Sequence, residues 1–252
     1  MATGLIRVIG IAITVLAVLA TVSSAAPLRV ITEDYAPFGY VDDGKLTGVG
    51  PEIVYEMAKV LGVADLKVEV LPWKRAYQLA LNDQDVALFS MSRIAQREKL
   101  FKWVGPLYTM GSFLFGRHDY AKEIKSIEDA KKAKSILLQA GGASETRLLA
   151  QGFNNLVPIQ NIDQQIKMLT IGRVELASAT DATVAYQMRK QGIPTGTVKP
   201  VFWMNDADLY LAFSLKTDDK VINKWRAALD AIRKNGRWQK ITEKFMPALD
   251  KW

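Results

Sequence analysis

Short apolar strands alternate with amphipathic helices twice over in this chain, which limits it to a small set of folds. Residues 28–32 form a β-like run, and Asp42-Asp43-Gly44 is a turn signal. A helix opens at Gly50-Pro51, with Pro51 in its first position and Gly62 just past its end. Within it, Ile53, Met57 and Val60/Leu61 recur at helical spacing and should face a core. Residues 67–71 alternate as a strand, 72–81 begin the next helix, and 85–90 read as a third strand. Strand, helix, strand, helix, strand predicts a parallel α/β sheet. Tyr35, Phe38 and Tyr40 then hang on the loop at a strand's carboxyl end, where open α/β sheets bind small molecules.

The middle of the chain repeats the pattern. Residues 135–139, 156–159 and 174–179 read as strands, 145–151 and 164–169 as helices, with Gly141-Gly142 as a flexible turn. Residues 79–90 and 168–178 echo one another, each running from a helix end through a turn and an acidic residue into an apolar strand. In the tail, Val221, Trp225, Ala228/Leu229 and Ile232 make one apolar helix face. Asn235-Gly236 stops that helix, and residues 238–245 form a second, shorter one. A helical tail after two α/β units suits a chain that returns to cover its first half.

Residues 1–25 read as an export signal rather than as part of the fold. Arg7 supplies the basic end, residues 9–22 are almost wholly apolar, and Ser23-Ser24-Ala25 offers small residues for cleavage. Cutting after Ala25 avoids placing Pro27 directly behind the scissile bond. The apolar run is shorter than the roughly 20 residues a bilayer needs, which favours cleavage over a retained anchor. The mature chain would keep a net charge of +6, spread along its length. Its densest basic piece, Lys131-Lys132-Ala133-Lys134, lacks the interleaved aromatics of a nucleic-acid footprint. Zero cysteines exclude thiolate metal sites, cysteine catalysis, disulfides and a lipidated N-terminal cysteine.

No catalytic centre is legible. His118 is the single histidine, so neither a histidine metal cluster nor a Ser/His/Asp arrangement is easily built, and an exposed loop position suits it. Gly141-Gly142 is followed by no Gly-Lys-Ser/Thr, so it is not a phosphate loop. Recognition is a better reading. The segment Ser90-Met91-Ser92-Arg93-Ile94-Ala95-Gln96-Arg97 directly follows a strand. A guanidinium there can grip a carboxylate through two parallel hydrogen bonds. Arg93 and Arg97 both qualify on position.

Four segments in order then carry a resemblance: Tyr35-Ala36-Pro37-Phe38; Gly48 to Glu52; Ser92 to Arg97 with the run from Trp103 to Tyr108; and Asn235 to Phe245. With them the chain resembles the family 3 bacterial extracellular solute-binding proteins, the periplasmic binding proteins of polar amino-acid ABC transporters. The likeness covers nearly the whole mature length. It implies an α/β, two-lobe periplasmic binding protein fold (type II-like), with parallel-rich sheets, helices on both faces and a hinge of two crossing strands. Lobe 1 would comprise residues 26–110 and 204–252, and lobe 2 residues 111–203. One continuous sheet across all three segments would sink that division.

The resemblance also assigns roles. Arg97 matches the arginine that holds the ligand's α-carboxylate, Ser90 and Ser92 match positions adding hydrogen bonds, and Tyr35 and Trp73 match aromatic walls. In the second lobe Ser144 matches a hydroxyl position at a helix N-terminus, and Asp181 resembles the acid that pairs with the ligand's ammonium. Asp181 falls one residue late when counted from Gly172, which leaves Thr180 as its alternative. Arg75, near the expected pocket mouth, would favour an acidic or polar ligand; snorkelling along the helix surface is the competing reading.

The function implied is capture of a small polar solute, an amino acid or small carboxylate, by hinge closure, and its delivery to an ABC permease in the inner membrane. The protein would act in the periplasm as a monomer without cofactor, metal, nucleic acid or catalysis. Two alternatives stand beside this: a periplasmic lyase or dehydratase on the same fold, and a ligand-binding partner of a sensor.

Overall fold

The computed structural model describes residues 28–245; the export signal expected at 1–25 lies outside them. The first half opens with β1 (Arg29–Thr32), a hairpin of β2 (Tyr40–Asp42) and β3 (Lys45–Thr47), and α1 (Val49–Val60). It continues through β4 (Val68–Val70), α2 (Trp73–Asn82) and β5 (Val86–Ser92). β1 lies parallel between β4 and β5, as the alternation predicts. The hairpin turns at Asp43 and Gly44, both with positive φ, the geometry that Asp-Gly favours in two-residue turns.

The loop before α1 is strapped to the helix start. Gly50 donates its N–H to the Phe38 carbonyl at 2.8 Å. Gly48, with φ of 118°, sits so close that a Cβ would lie 2.8 Å from the carbonyl oxygens of both Pro37 and Phe38. Only glycine fits there, so the aromatic loop is fixed against α1 rather than free to swing.

A second α/β unit follows β6 (Phe101–Arg117) and the short α3 (Ile127–Ala130). It comprises β7 (Ile136–Gln139), α4 (Ala143–Ala150), β8 (Leu156–Ile159), α5 (Gln165–Thr170), β9 (Leu176–Thr180) and α6 (Asp181–Lys190). β7 runs parallel to β8 and to β9. The chain then returns through β10 (Val198–Ser214) to α7 (Asp219–Lys234) and α8 (Arg237–Phe245).

β6 and β10, each of 17 residues, pair antiparallel along their lengths and join the halves. Counted by hydrogen bonds, all eight long-sheet strands fall in one order, β4-β1-β5-β10-β6-β9-β7-β8. The sheet is thus continuous across all three segments, the outcome set against the expected boundaries. That criterion does not separate one lobe from two, because crossing strands carry the ladder from one half to the other in either case. Packing does change across them. Met110 and Leu209 belong to a core with Ile53, Phe89, Phe213 and Trp225. Leu114 and Phe115 belong instead to cores with Leu138 and Leu176, and with Ile166 and Val184.

The tail helices cover the first half, as their apolar face predicts. Trp225 and Leu229 of α7 are buried, the Trp238 indole N–H donates to the Leu107 carbonyl at 2.6 Å, and Arg237 bonds Glu56 at 2.5 Å. Among the described residues no helix is long and apolar enough to cross a membrane.

Candidate functional site

The carboxyl ends of β1, β5, β7 and β9 converge on a cleft between the halves. Tyr35, Phe38 and Ser92 line it from one side, and Gln139, Ser144, Arg147 and Thr180 from the other. A neighbouring pocket holds Arg97, Trp73, Tyr77 and Gly141. Of the sequence candidates, Tyr35, Ser92 and Ser144 thus meet in the cleft, while Arg97 and Trp73 stand at its flank.

Arg97 is 3% exposed. Its guanidinium lies over the Trp73 and Tyr77 rings at 5.1 and 5.2 Å, against two adjoining rings that orient the planar fork. It donates to the Ser92 carbonyl at 3.3 Å and to the Gly141 carbonyl at 3.2 Å. Arg93 points elsewhere, bonded to Glu98 at 2.5 and 2.8 Å and lying over Trp103 and Tyr210. The sequence left the two arginines open, and the structure gives only Arg97 a place beside the cleft.

The other candidates divide. Ser90 is buried with positive φ, and its hydroxyl accepts the Tyr108 O–H at 2.6 Å, so it faces the core. Thr180 lines the cleft and caps α6 by accepting the Thr183 N–H at 3.2 Å. Asp181 is the next residue; one carboxylate oxygen accepts the Ala182 N–H at 2.7 Å, and burial raises its pKa. Arg75 joins neither pocket. α2 turns Trp73, Ala76 and Ala80 into the core, which leaves position 75 on the outer face, where its charge acts on Glu69. The reading that placed Arg75 at the pocket mouth is corrected on that ground. His118 is exposed.

Three residues of the site escaped the sequence reading. Glu33, directly after β1, is 7% exposed and accepts the Gln139 side-chain N–H at 2.5 Å. Burial pushes its pKa up to about 7, against the lowering effects of Gln139 and Arg97. Arg147 reaches the cleft from α4 and bonds the Asn205 side chain. The available signal for Glu33 was its place at a strand's carboxyl end; Gln139, the last residue of β7, had the same signal. Arg147 gave no local signal.

Several contacts span the cleft. Gln139 meets Glu33, the Gly141 carbonyl accepts from both the Trp73 indole at 2.7 Å and Arg97, and the Tyr40 and Tyr186 rings lie 5.2 Å apart. No group of three or more His, Asp or Glu side chains among the described residues could hold a metal ion. The chemistry on offer is recognition: polar donors and acceptors, aromatic walls and two guanidinium groups around a closable space.

Two α/β halves joined by two long strands, with a polar cleft between them, define the periplasmic-binding-protein class of ligand traps. The chain belongs to the bacterial extracellular solute-binding proteins, family 3, whose sequence model matches residues 28–248. It is 27% identical over 213 residues to a probable amino-acid ABC transporter-binding protein of Haemophilus influenzae, covering 82% of this chain and 79% of that one. An ancestral arginine-binding protein bound to glutamine superposes with a TM-score of 0.71 at 26% identity, covering 87% of this chain and 97% of that one. A histidine kinase sensor domain with similarity to periplasmic binding proteins shares the fold, with a TM-score of 0.77 at 20% identity and coverage of 87% and 96%.

Proposed function

We propose that this protein captures a small polar amino acid outside the cytoplasm by closing its two lobes, and hands it to an ABC permease. The observation that carries the reading is the division of the cleft. Tyr35, Ser92 and Arg97 come from one half, and Gln139, Ser144 and Thr180 from the other. A ligand touching both sets gains its full contacts only in the closed form, so it shifts the population toward that form. The permease can then read closure as a report of cargo. Lobe boundaries near residues 110 and 203 fit this mechanism and are supported by the change of core along β6 and β10. The chain is a carrier, not an enzyme; its family is one of binding proteins. It works as a monomer in the periplasm, reached by cleavage after residue 25.

In the site, the Arg97 fork holds the ligand α-carboxylate, with Ser92 and the α4 N-terminus around Ser144 contributing further hydrogen bonds. The ammonium lies toward Thr180 and Asp181. Tyr35 and Trp73 wall the side chain. Solution scattering on the mature chain, with and without a saturating amino acid that binds it, should show a smaller radius of gyration with ligand. Identical curves would mean a rigid, preformed pocket in place of a hinge.

A further inference from the structure

The cleft carries an unbalanced charge pattern. Arg147 lines it from α4 and Arg97 stands at its flank on the turn after β5, so the two guanidinium groups belong to opposite halves. The Arg97 pKa is lowered by burial, raised in part by Tyr77 and Glu33, and lowered further to a smaller extent by Arg147. Arg147 is lowered by burial alone. Neither has a carboxylate within salt-bridge distance among the described residues; Arg97 bonds the Ser92 and Gly141 carbonyls and the Tyr77 side chain, and Arg147 bonds the Asn205 side chain.

Of the nearby acids, Glu33 acts on Arg97 and raises its pKa, whereas no acid among the described residues acts on Arg147. Glu33 takes the Gln139 amide, Glu145 the Gly141 N–H, and Asp181 the Ala182 N–H. Glu33 is moreover shifted by burial toward its uncharged form. Closing the cleft around two partly desolvated cations is costly unless an anion enters with the ligand.

Building on the amino-acid reading above, we propose that the ligand is a dicarboxylic amino acid, its second carboxylate gripped by Arg147 while Arg97 takes the first. Arg147 is then the specificity-determining residue. A guanidinium matches a carboxylate in two parallel hydrogen bonds, whereas the amide of a glutamine side chain satisfies the same fork only in part. A cationic side chain would add a third positive charge to the pair. Arg75, the sequence candidate for this preference, is replaced by a residue that faces the cleft.

The test is calorimetric titration of the mature chain with L-glutamate, L-aspartate, L-glutamine, L-arginine and the amino-free diacid glutarate. L-glutamate or L-aspartate should bind about tenfold or more tighter than L-glutamine and L-arginine. Arg147→Met should lose about ten- to a hundredfold of the affinity for the preferred acid and a smaller factor for L-glutamine, whose amide uses the same fork only in part. Arg147→Lys should recover part of the loss and guards against a folding defect. L-glutamine or L-arginine binding as tightly as the acids would overturn this proposal and leave the amino-acid reading standing. Equal losses for acid and amide in Arg147→Met would overturn it too. Glutarate matching L-glutamate would keep the Arg147 grip and overturn the amino-acid reading instead.

Discussion

Arg97→Ala should abolish measurable ligand binding while the protein stays folded. Removing one partner of a buried, charge-assisted pair costs about 2–5 kcal/mol, and every 1.4 kcal/mol is about tenfold in affinity. Arg97 is placed for the full effect. Its guanidinium is packed against both Trp73 and Tyr77, and its link to the Gly141 carbonyl ties the halves together. Arg93→Ala is the matched control. Its partner Glu98 is solvent-accessible, and exposed ion pairs contribute about 0–1 kcal/mol. Titration of both variants with the amino acid that binds wild type tightest reads the difference. Wild-type affinity in Arg97→Ala would reject the carboxylate assignment.

Raising the pH from 5 to 8 should weaken the closed protein through Glu33. Its pKa is about 7 in the folded chain against an ordinary 4.5, because burial disfavours the charged carboxylate. The folded form therefore holds a proton that the opened or unfolded form has lost between those two values. The stability is fully present below the ordinary value and is lost as pH rises through about 7, with a ceiling of about 3 kcal/mol. Glu33 and its partner Gln139 lie on opposite sides of the cleft, so opening rehydrates the acid and meets the change before global unfolding does. Melting curves of wild type and Glu33→Gln across this range should diverge, with the variant the flatter. Parallel curves would remove Glu33 from the account.

What could be read from the sequence was local. Asp43-Gly44 and Gly62 mark the hairpin and the end of α1, because turn and cap preferences act within a few residues. The helix start was read less well: it opens at Val49 behind Gly48 and puts Pro51 in its third position rather than its first. The crossing strands were expected from the family likeness but could not be placed. Gly105-Pro106 interrupts β6, and the β6–β10 register shifts at Pro200/Phe202, Trp203/Asn205 and Leu209/Leu211, so the alternation that reveals a strand is broken. α6 also escaped, since its buried face is made of Ala182, Thr183, Val184, Gln187 and Met188, with little hydrophobic contrast. The site divides in the same way. Tyr35, Ser92 and Ser144 combine a place at or near a strand end with a match to the family likeness, whereas Glu33 and Gln139 had the strand-end place alone and Arg147 no local signal. These last three acquire their roles from what faces them.

The central claim is that this chain binds an amino acid and returns it unchanged. The most direct test is a thermal-shift panel of the twenty amino acids and small dicarboxylates on the mature protein, followed by mass spectrometry of any compound that stabilises it. A true ligand at 100 times its dissociation constant adds about 2.7 kcal/mol to stability by mass action. The account predicts a clear upward shift for at least one amino acid, recovered intact from the protein. No shift with any member of the panel, or recovery of a chemically altered compound, would contradict it.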